Sequence, residues 1–231
     1  MESSWPLRSA LLFSVAFATA VQGAFTPARY RDGALPQIQI RAVGGGEVFL
    51  DVDVSDAGAV GGISVLRATS PFTDAVVAAV RGWHFAPAEE EVEPEPGKPV
   101  DLERRKPAES TVLVAAMFRP PTINTPTFGE VPRDVASPAK ETPFPIVTAT
   151  PSYPPDALFD GVALIEVLVD SDGRVGAAKA IRSAPPFDEP ALEAARRWVF
   201  RPARLHGVPV ATLAYIVFAF RQPVTVRDSG A

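Results

Sequence analysis

The side chains able to do chemistry are few. Asp170-Ser171-Asp172-Gly173 opens like a calcium loop, in which oxygens at fixed spacings ring a hard cation. Counting twelve positions from Asp170 gives Ile181, where such a loop needs a bidentate glutamate, so the ligand pattern breaks. The matching residues earlier in the chain, Ser55-Asp56-Ala57-Gly58, suit a turn and not a cation. Gly44-Gly45-Gly46 has the composition of a phosphate cradle, but a strand pattern follows it and no Lys-Ser/Thr does; it reads as a hinge or bulge. The only histidines are His84 and His206. His84 sits beside Trp83 at an expected helix end, a place for packing or a helix-end charge. His206 lies between Leu205 and Gly207 with no carboxylate partner beside it. No Gly-x-Ser-x-Gly, no His-Glu pair and no pair of carboxylates on one face appears. The expectation is a protein that is not an enzyme and has no metal site and no cofactor.

The composition bounds the rest. The chain has 231 residues, a formal net charge of −5 and no cysteine. A disulfide framework, thiolate metal sites and a cysteine nucleophile are therefore excluded. Hydrophobic residues make up 47% and charged residues 21%, a globular balance that also gives no sign of a nucleic-acid partner. The 25 prolines are about twice ordinary usage and point to Pro-rich connectors between folded parts.

Residues 1–24 read as an export signal: Arg8, an apolar stretch from Ser9 to Ala18, and the small-x-small site Ala18-Thr19-Ala20. The alternative is an uncleaved anchor, since the uncharged run from Ser9 to Ala28 is just long enough to span, although Gln22, Thr26 and Pro27 make its second half poor hydrocarbon. Both readings place the remainder outside the cytoplasm.

An internal repeat organises that remainder. Aligning Gly46 with Gly161 sets an offset of 115 residues that holds without a gap to Ala88 and Ala203, with 15 identities in 43 positions. The matches include Pro71-Phe72 with Pro186-Phe187 and the Trp-x-Phe-x-Pro-Ala exits at Trp83 and Trp198. In copy one Val48, Leu50, Val52 and Val54 alternate with Glu47, Phe49, Asp51 and Asp53, the period of a half-buried antiparallel strand. A Gly-containing turn and a return strand follow in each copy. Phe72, Val76, Val80 and Trp83 then mark one face of a helix, as do Phe187, Ala191, Ala194, Ala195 and Trp198. Thr73 and Asp188 are the expected N-caps, and both tryptophans are expected in the core. An apolar strand closes each copy, Thr111 to Phe118 and Ala211 to Phe220. Each unit is a ββαβ module, three antiparallel strands with one covering helix, and the fold class is α+β. The segments Glu89–Pro96 and Leu102–Glu109 are expected as an exposed acidic and Pro-rich loop.

Copy two carries further signals in order: Ser152-Tyr153-Pro154-Pro155, then Val169-Asp170-Ser171-Asp172-Gly173-Arg174-Val175, then Trp198-Val199-Phe200-Arg201-Pro202-Ala203 and Gly207-x-Pro209-Val210. This resembles the C-terminal domain of the TonB energy-transducer family. Copy one is a degenerate version that lacks Tyr-Pro, with Leu35-Pro36 as the nearest trace. The domains expected are a signal at 1–24, a degenerate module at 35–119, a Pro-rich linker at 120–149, the full module at 150–222 and a tail at 223–231.

The resemblance implies a periplasmic protein-binding module of the outer-membrane transport and energy-transduction system. Its partner would be an outer-membrane transporter or another envelope protein, captured as an extended peptide by strand addition. The binding residues implied are Tyr153, Pro154, Leu213, Tyr215, Ile216, Phe218 and Phe220, with Leu213 to Phe220 as the exposed edge. The chain departs from the family transducers in having no histidine between Met1 and Thr26 and in placing its Pro-rich stretch between two copies. The alternative reading is a structural envelope module whose edges pair internally or across a homodimer, without energy transduction.

Overall fold

The computed structural model describes residues 25–38, 44–91, 105–121, 142–205 and 207–223. The expected signal segment, His206 and most of the Pro-rich linker and tail lie outside these residues. Six strands form the central sheet: β1 (Gly46–Val54), β2 (Val60–Arg67), β3 (Ser110–Phe118), β4 (Gly161–Val169), β5 (Val175–Arg182) and β6 (Thr212–Phe220). Two helices accompany them, α1 (Phe72–Val80) and α2 (Asp188–Arg196). The strand order is β5-β4-β6-β3-β1-β2. A mixed sheet accompanied by only two helices agrees with the α+β class expected. No helix among the described residues is long and apolar enough to cross a membrane.

Each half supplies three antiparallel strands, and the halves join where β6 runs parallel to β3, from Ala214↔Leu113 to Ala219↔Phe118. A parallel junction between two like halves turns one over relative to the other. The helices accordingly lie on opposite faces of the sheet. Phe72, Val76 and Val80 of α1 pack with Val48, Leu50 and Val52 of β1 and with Tyr215, Val217 and Ala219 of β6. On the other face Ala191, Ala194 and Ala195 of α2 pack with Ile165, Ile216 and Phe218, and also with Phe49, Leu113 and Met117 of the first half. Each hydrophobic core therefore draws on both halves of the chain.

The halves share local geometry as well as element order. Gly58 and Gly173 take φ of +82° and +83°. Their carbonyls accept the N–H groups of Phe85 and Phe200, both at 2.8 Å. A side chain at either glycine would combine a left-handed backbone with a clash against that phenylalanine's carbonyl. The repeat also reaches further upstream than the matched letters do. Arg29–Asp32 pairs with His84–Ala86, and Phe144–Val147 pairs with Val199–Arg201, at the same offset. Trp83 Nε1 donates to Ala34 O at 2.8 Å and Trp198 Nε1 to Ala149 O at 3.0 Å. Both indoles are buried, as their helical spacing predicts, and each clamps the strand that leads into its own half.

Several expectations are corrected. Leu35-Pro36 falls in register with Thr150-Pro151, so the position matching Tyr153 is Ile38. Thr73 and Asp188 are not N-caps; Pro71 and Phe187 occupy those places without side-chain caps. The two polar side chains reach backward instead, Thr73 Oγ1 accepting the Thr69 N–H at 2.9 Å and Asp188 Oδ1 the Ala184 N–H at 2.7 Å. That supplies the same order at the helix start from inside the helix. The acidic loop is partly strand: Ala88–Glu91 pairs with Arg105–Ala108, and Phe25–Thr26 adds to its edge. Alternation along that segment is weak, so only pairing with its neighbours reveals it. The end of the Pro-rich stretch is also ordered, since Thr142 to Pro145 are buried. His84 is exposed and meets Asp32, Nδ1 to Oδ1 at 3.2 Å, rather than packing at the helix end.

The second face of β1 is buried, not solvated. Glu47, Phe49 and Asp51 are between 0 and 3% exposed because the segment leading into the second half lies over them. Thr148 Oγ1 donates to Glu47 Oε1, and Thr142 Oγ1 donates to Asp51 Oδ1 at 2.8 Å. Arg67 Nε stands 3.2 Å from Glu47 Oε2. Burial raises the Glu47 pKa above the ordinary carboxylate range; the Thr148 hydrogen bond and the Arg67 charge only partly oppose it. A carboxyl whose pKa is higher folded than unfolded favours folding most when protonated, and that contribution fades as pH rises through the folded value. The native melting temperature should therefore carry a Glu47 contribution that grows as pH falls from neutrality towards the ordinary glutamate value. Glu47→Gln should remove that contribution, a comparison that melting curves of both proteins across this pH window make directly. Equal pH slopes would refute the assignment.

Candidate functional site

The residues expected to bind peptide separate into two groups. Leu213, Tyr215, Ile216, Phe218 and Phe220 lie on β6, and all are at most 4% exposed. Their strand is hydrogen-bonded to β4 on one side and to β3 on the other. The expectation of an exposed edge there is overturned: the main-chain groups on both sides of β6 are taken. The residue types contain the reason. Leu213 to Phe220 is apolar at every position, the signature of a strand buried on both faces, whereas an edge strand with one wet face alternates. Val112 to Phe118 reads the same way and is its partner.

Tyr215 shows how firmly this strand is engaged. Its hydroxyl accepts the Tyr30 N–H at 2.9 Å and lies 3.4 Å from Ala28 O and 3.3 Å from Glu166 Oε2. Arg29 Nη2 stands 3.8 Å from the other oxygen of Glu166. Burial, with the Glu166 charge adding to it, drives the phenol pKa far above its ordinary value. Tyr215 is thus a neutral bridge from the second half to the Arg29–Asp32 strand, closed to a partner.

Tyr153 and Pro154 stand apart, in an open groove of about 430 Å³. The groove lies at the end of the sheet where β3 and β6 finish side by side. A loop from Pro151 to Asp160 forms one wall. Tyr153 Oη donates to Phe159 O at 2.8 Å and pins the loop. The Tyr153 and Phe159 rings meet the Phe187 ring edge-on at 5.8 and 5.5 Å, so the first residue before α2 supports the wall from below. Ser152, Pro155 and Leu158 complete that side, with Gln222 and Pro223 opposite. Leu158 is 78% exposed and Phe159 is 53% exposed. Leu158 thus projects from the wall of the groove, and Phe159 stands exposed next to it in the chain.

Arg119, the first residue after β3, forms the floor. No sequence signal singled it out, because it becomes part of the site only when β3 is laid against β6. Its N–H donates to Ala219 O at 2.9 Å, which fixes it to the second half. The residue is 3% exposed. Its guanidinium lies over the Tyr153 ring, 5.6 Å from the centroid, and Nη1 donates to Pro120 O at 3.2 Å. Burial lowers its pKa from the ordinary arginine value.

The turn at Asp170–Gly173 is a hairpin turn. Asp172 Oδ1 accepts the Arg174 N–H at 3.1 Å and Gly173 N–H bonds Asp170 O at 2.9 Å. Among the described residues no cluster of three potential metal ligands occurs.

No curated protein matches the chain. Residues 149–221 match the family described as Gram-negative bacterial TonB protein C-terminal. That span takes in the Tyr153 loop, β4, β5, α2 and β6, and it follows the motifs read in copy two. Residues 149–221, about a third of the chain, therefore form a TonB C-terminal domain.

Proposed function

We propose that the protein is a periplasmic, noncatalytic binding module of the outer-membrane transport system, and that it receives an extended segment of an outer-membrane transporter or another envelope protein in the Tyr153–Pro154 groove. TonB C-terminal domains interact with outer-membrane transporters, which supplies the class of partner. The observation that carries the reading is the contrast between two surfaces of the same domain. The last strand is paired on both sides, while the groove beside it is open and carries the exposed Leu158 on its wall. In this reading β3 performs strand addition in cis: the first half, a degenerate copy, completes the sheet of the second. A partner then meets the loop end of the sheet and not the edge of β6. Pulling β3 away to free that edge would expose both hydrophobic cores, so the cis pairing is part of the fold and not a latch.

The test is titration of the full chain with labelled peptides from the extended periplasm-facing segments of transporters of the same bacterium. Saturable binding is expected. Leu158→Asp, a change at an exposed position, should weaken it by about tenfold or more, the scale of one lost leucine contact. No binding, or binding indifferent to Leu158→Asp, would overturn the proposal.

A second reading is favoured by the outer strands β2 and β5, which are hydrogen-bonded on one side only among the described residues. These edges are able to pair with a second copy. Both carry register shifts, and β5 carries Lys179, features that discourage such pairing. A mass measurement by light scattering across a concentration series decides it: a monomer throughout excludes the homodimer.

A further inference from the structure

We propose that the groove is an acid-recognition site, in which the Arg119 guanidinium receives the side-chain carboxylate of an Asp or Glu in an extended partner segment. The inference rests on the groove being the partner site and adds the chemistry that selects the partner.

Arg119 differs from four arginines of the molecule that face carboxylates. Arg67 faces Glu47, Arg29 faces Glu166, Arg174 faces Asp172 and Arg196 faces Glu189. Arg119 is more deeply buried than any of these four, yet no carboxylate among the described residues pairs with it. Its Nε, itself buried, has no hydrogen-bond partner. One Nη bonds a carbonyl and the flat face rests on an aromatic ring. A buried guanidinium without an anion is costly, and its fork of donors matches a carboxylate in geometry and charge.

The surroundings specify how the acid arrives. The groove is open, which suits a side chain offered by a passing segment. Its walls are Pro154, Pro155, Ala157 and Leu158, apolar surface for the residues on either side of the acid. Ser152 and Gln222 add neutral hydrogen-bonding groups to the lining. Among the described residues no lysine and no second arginine lines the groove, so it provides for one carboxylate and not for a polyanion. The site also explains what the joining of the halves achieves. Arg119 belongs to the first half and Tyr153 to the second, and neither half alone holds both.

The experiment uses the full chain and three probes: the blocked peptide acetyl-Pro-Val-Glu-Val-Pro-amide, the same peptide with Gln for Glu, and the Gln peptide with a free C-terminus. The Glu peptide should bind at least about tenfold more tightly than its Gln counterpart, the difference made by one charge-assisted pair. The free C-terminus should add nothing. Arg119→Gln should abolish the preference and Arg119→Lys should keep part of it, with near-UV circular dichroism confirming the fold. Gln222→Glu places a like charge on an exposed residue. It should weaken the Glu peptide more than the Gln peptide and so narrow the preference, which keeps the test intact if the Arg119 variants do not fold. Equal binding of the Glu and Gln peptides, no binding of either, a preference for the free C-terminus, or a preference that survives Arg119→Gln would each overturn the inference. Transporter segments that bind with no need of an acid would remove this inference and leave the binding module standing. Binding of the Glu peptide with no transporter segment bound would do the reverse.

Discussion

Ile216→Pro should leave little or no folded protein. Ile216 is fully buried, opposite Ile165 of β4 and Ala115 of β3. Proline removes a main-chain donor from a strand that has a neighbour on each side, and its ring intrudes on the ladder. The carbonyl that loses its partner is left buried. Together these cost about 4 kcal/mol or more, against a total stability of roughly 5–15 kcal/mol for a domain. The protein should appear in the insoluble fraction or unfold at a much lower urea concentration than the parent. Were β6 an edge strand, the same substitution would be tolerated and would affect only partner binding. A folded Ile216→Pro variant with an unchanged urea midpoint would therefore refute the central placement.

Trp198→Ala should cost about 3–5 kcal/mol, the range for removing a buried aromatic side chain. The indole is 1% exposed and packs against Phe200 and Phe218 of its own half, with ring centroids 6.0 and 5.9 Å away. It also meets Phe49 of the first half at 6.3 Å. Its N–H holds Ala149, the residue at which the lead-in to the second half passes over the core. Trp198→Phe retains much of the burial and loses that hydrogen bond, so it should cost about 1–2 kcal/mol plus the unfilled volume. Urea unfolding of both variants gives these values directly. A Trp198→Ala loss under about 1 kcal/mol would mean that the indole is not in the shared core, since even one unmade buried hydrogen bond costs that much.

How much of this was legible in the residues varies by element. The hairpins, the helices and the tryptophan positions were readable because local period and turn chemistry determine them, and because each pattern occurs twice. Gly58 and Gly173 were readable as turn residues for the same reason. The junction of the halves was not. A parallel pair between strands about a hundred residues apart has no turn to announce it, and the family resemblance pointed to an edge at the place where the pair forms. One local signal did exist: Leu213 to Phe220 is apolar at each position, which an edge strand has no reason to be. The candidate site was half legible. Tyr153 and Pro154 stood out through the family resemblance, and they do line the groove. Arg119 follows an apolar strand in the other half, and only the β3–β6 pairing brings it beneath the Tyr153 ring. The burial of Glu47 and Asp51 was hidden likewise, since the threonines that bond them come from a Pro-rich stretch with no periodic pattern.

The most direct measurement is residue-resolved amide hydrogen exchange along β6 in the full chain. Successive N–H groups of a strand point to opposite sides. With β4 on one side and β3 on the other, all consecutive amides from Ala214 to Ala219 should exchange slowly, near the limit set by global unfolding. The outer strands β2 and β5 should instead alternate between slow and fast. An alternating pattern along Ala214 to Ala219 would show that one side of β6 is open, and it would contradict the closed sheet on which the groove, the shared core and the Arg119 site all depend.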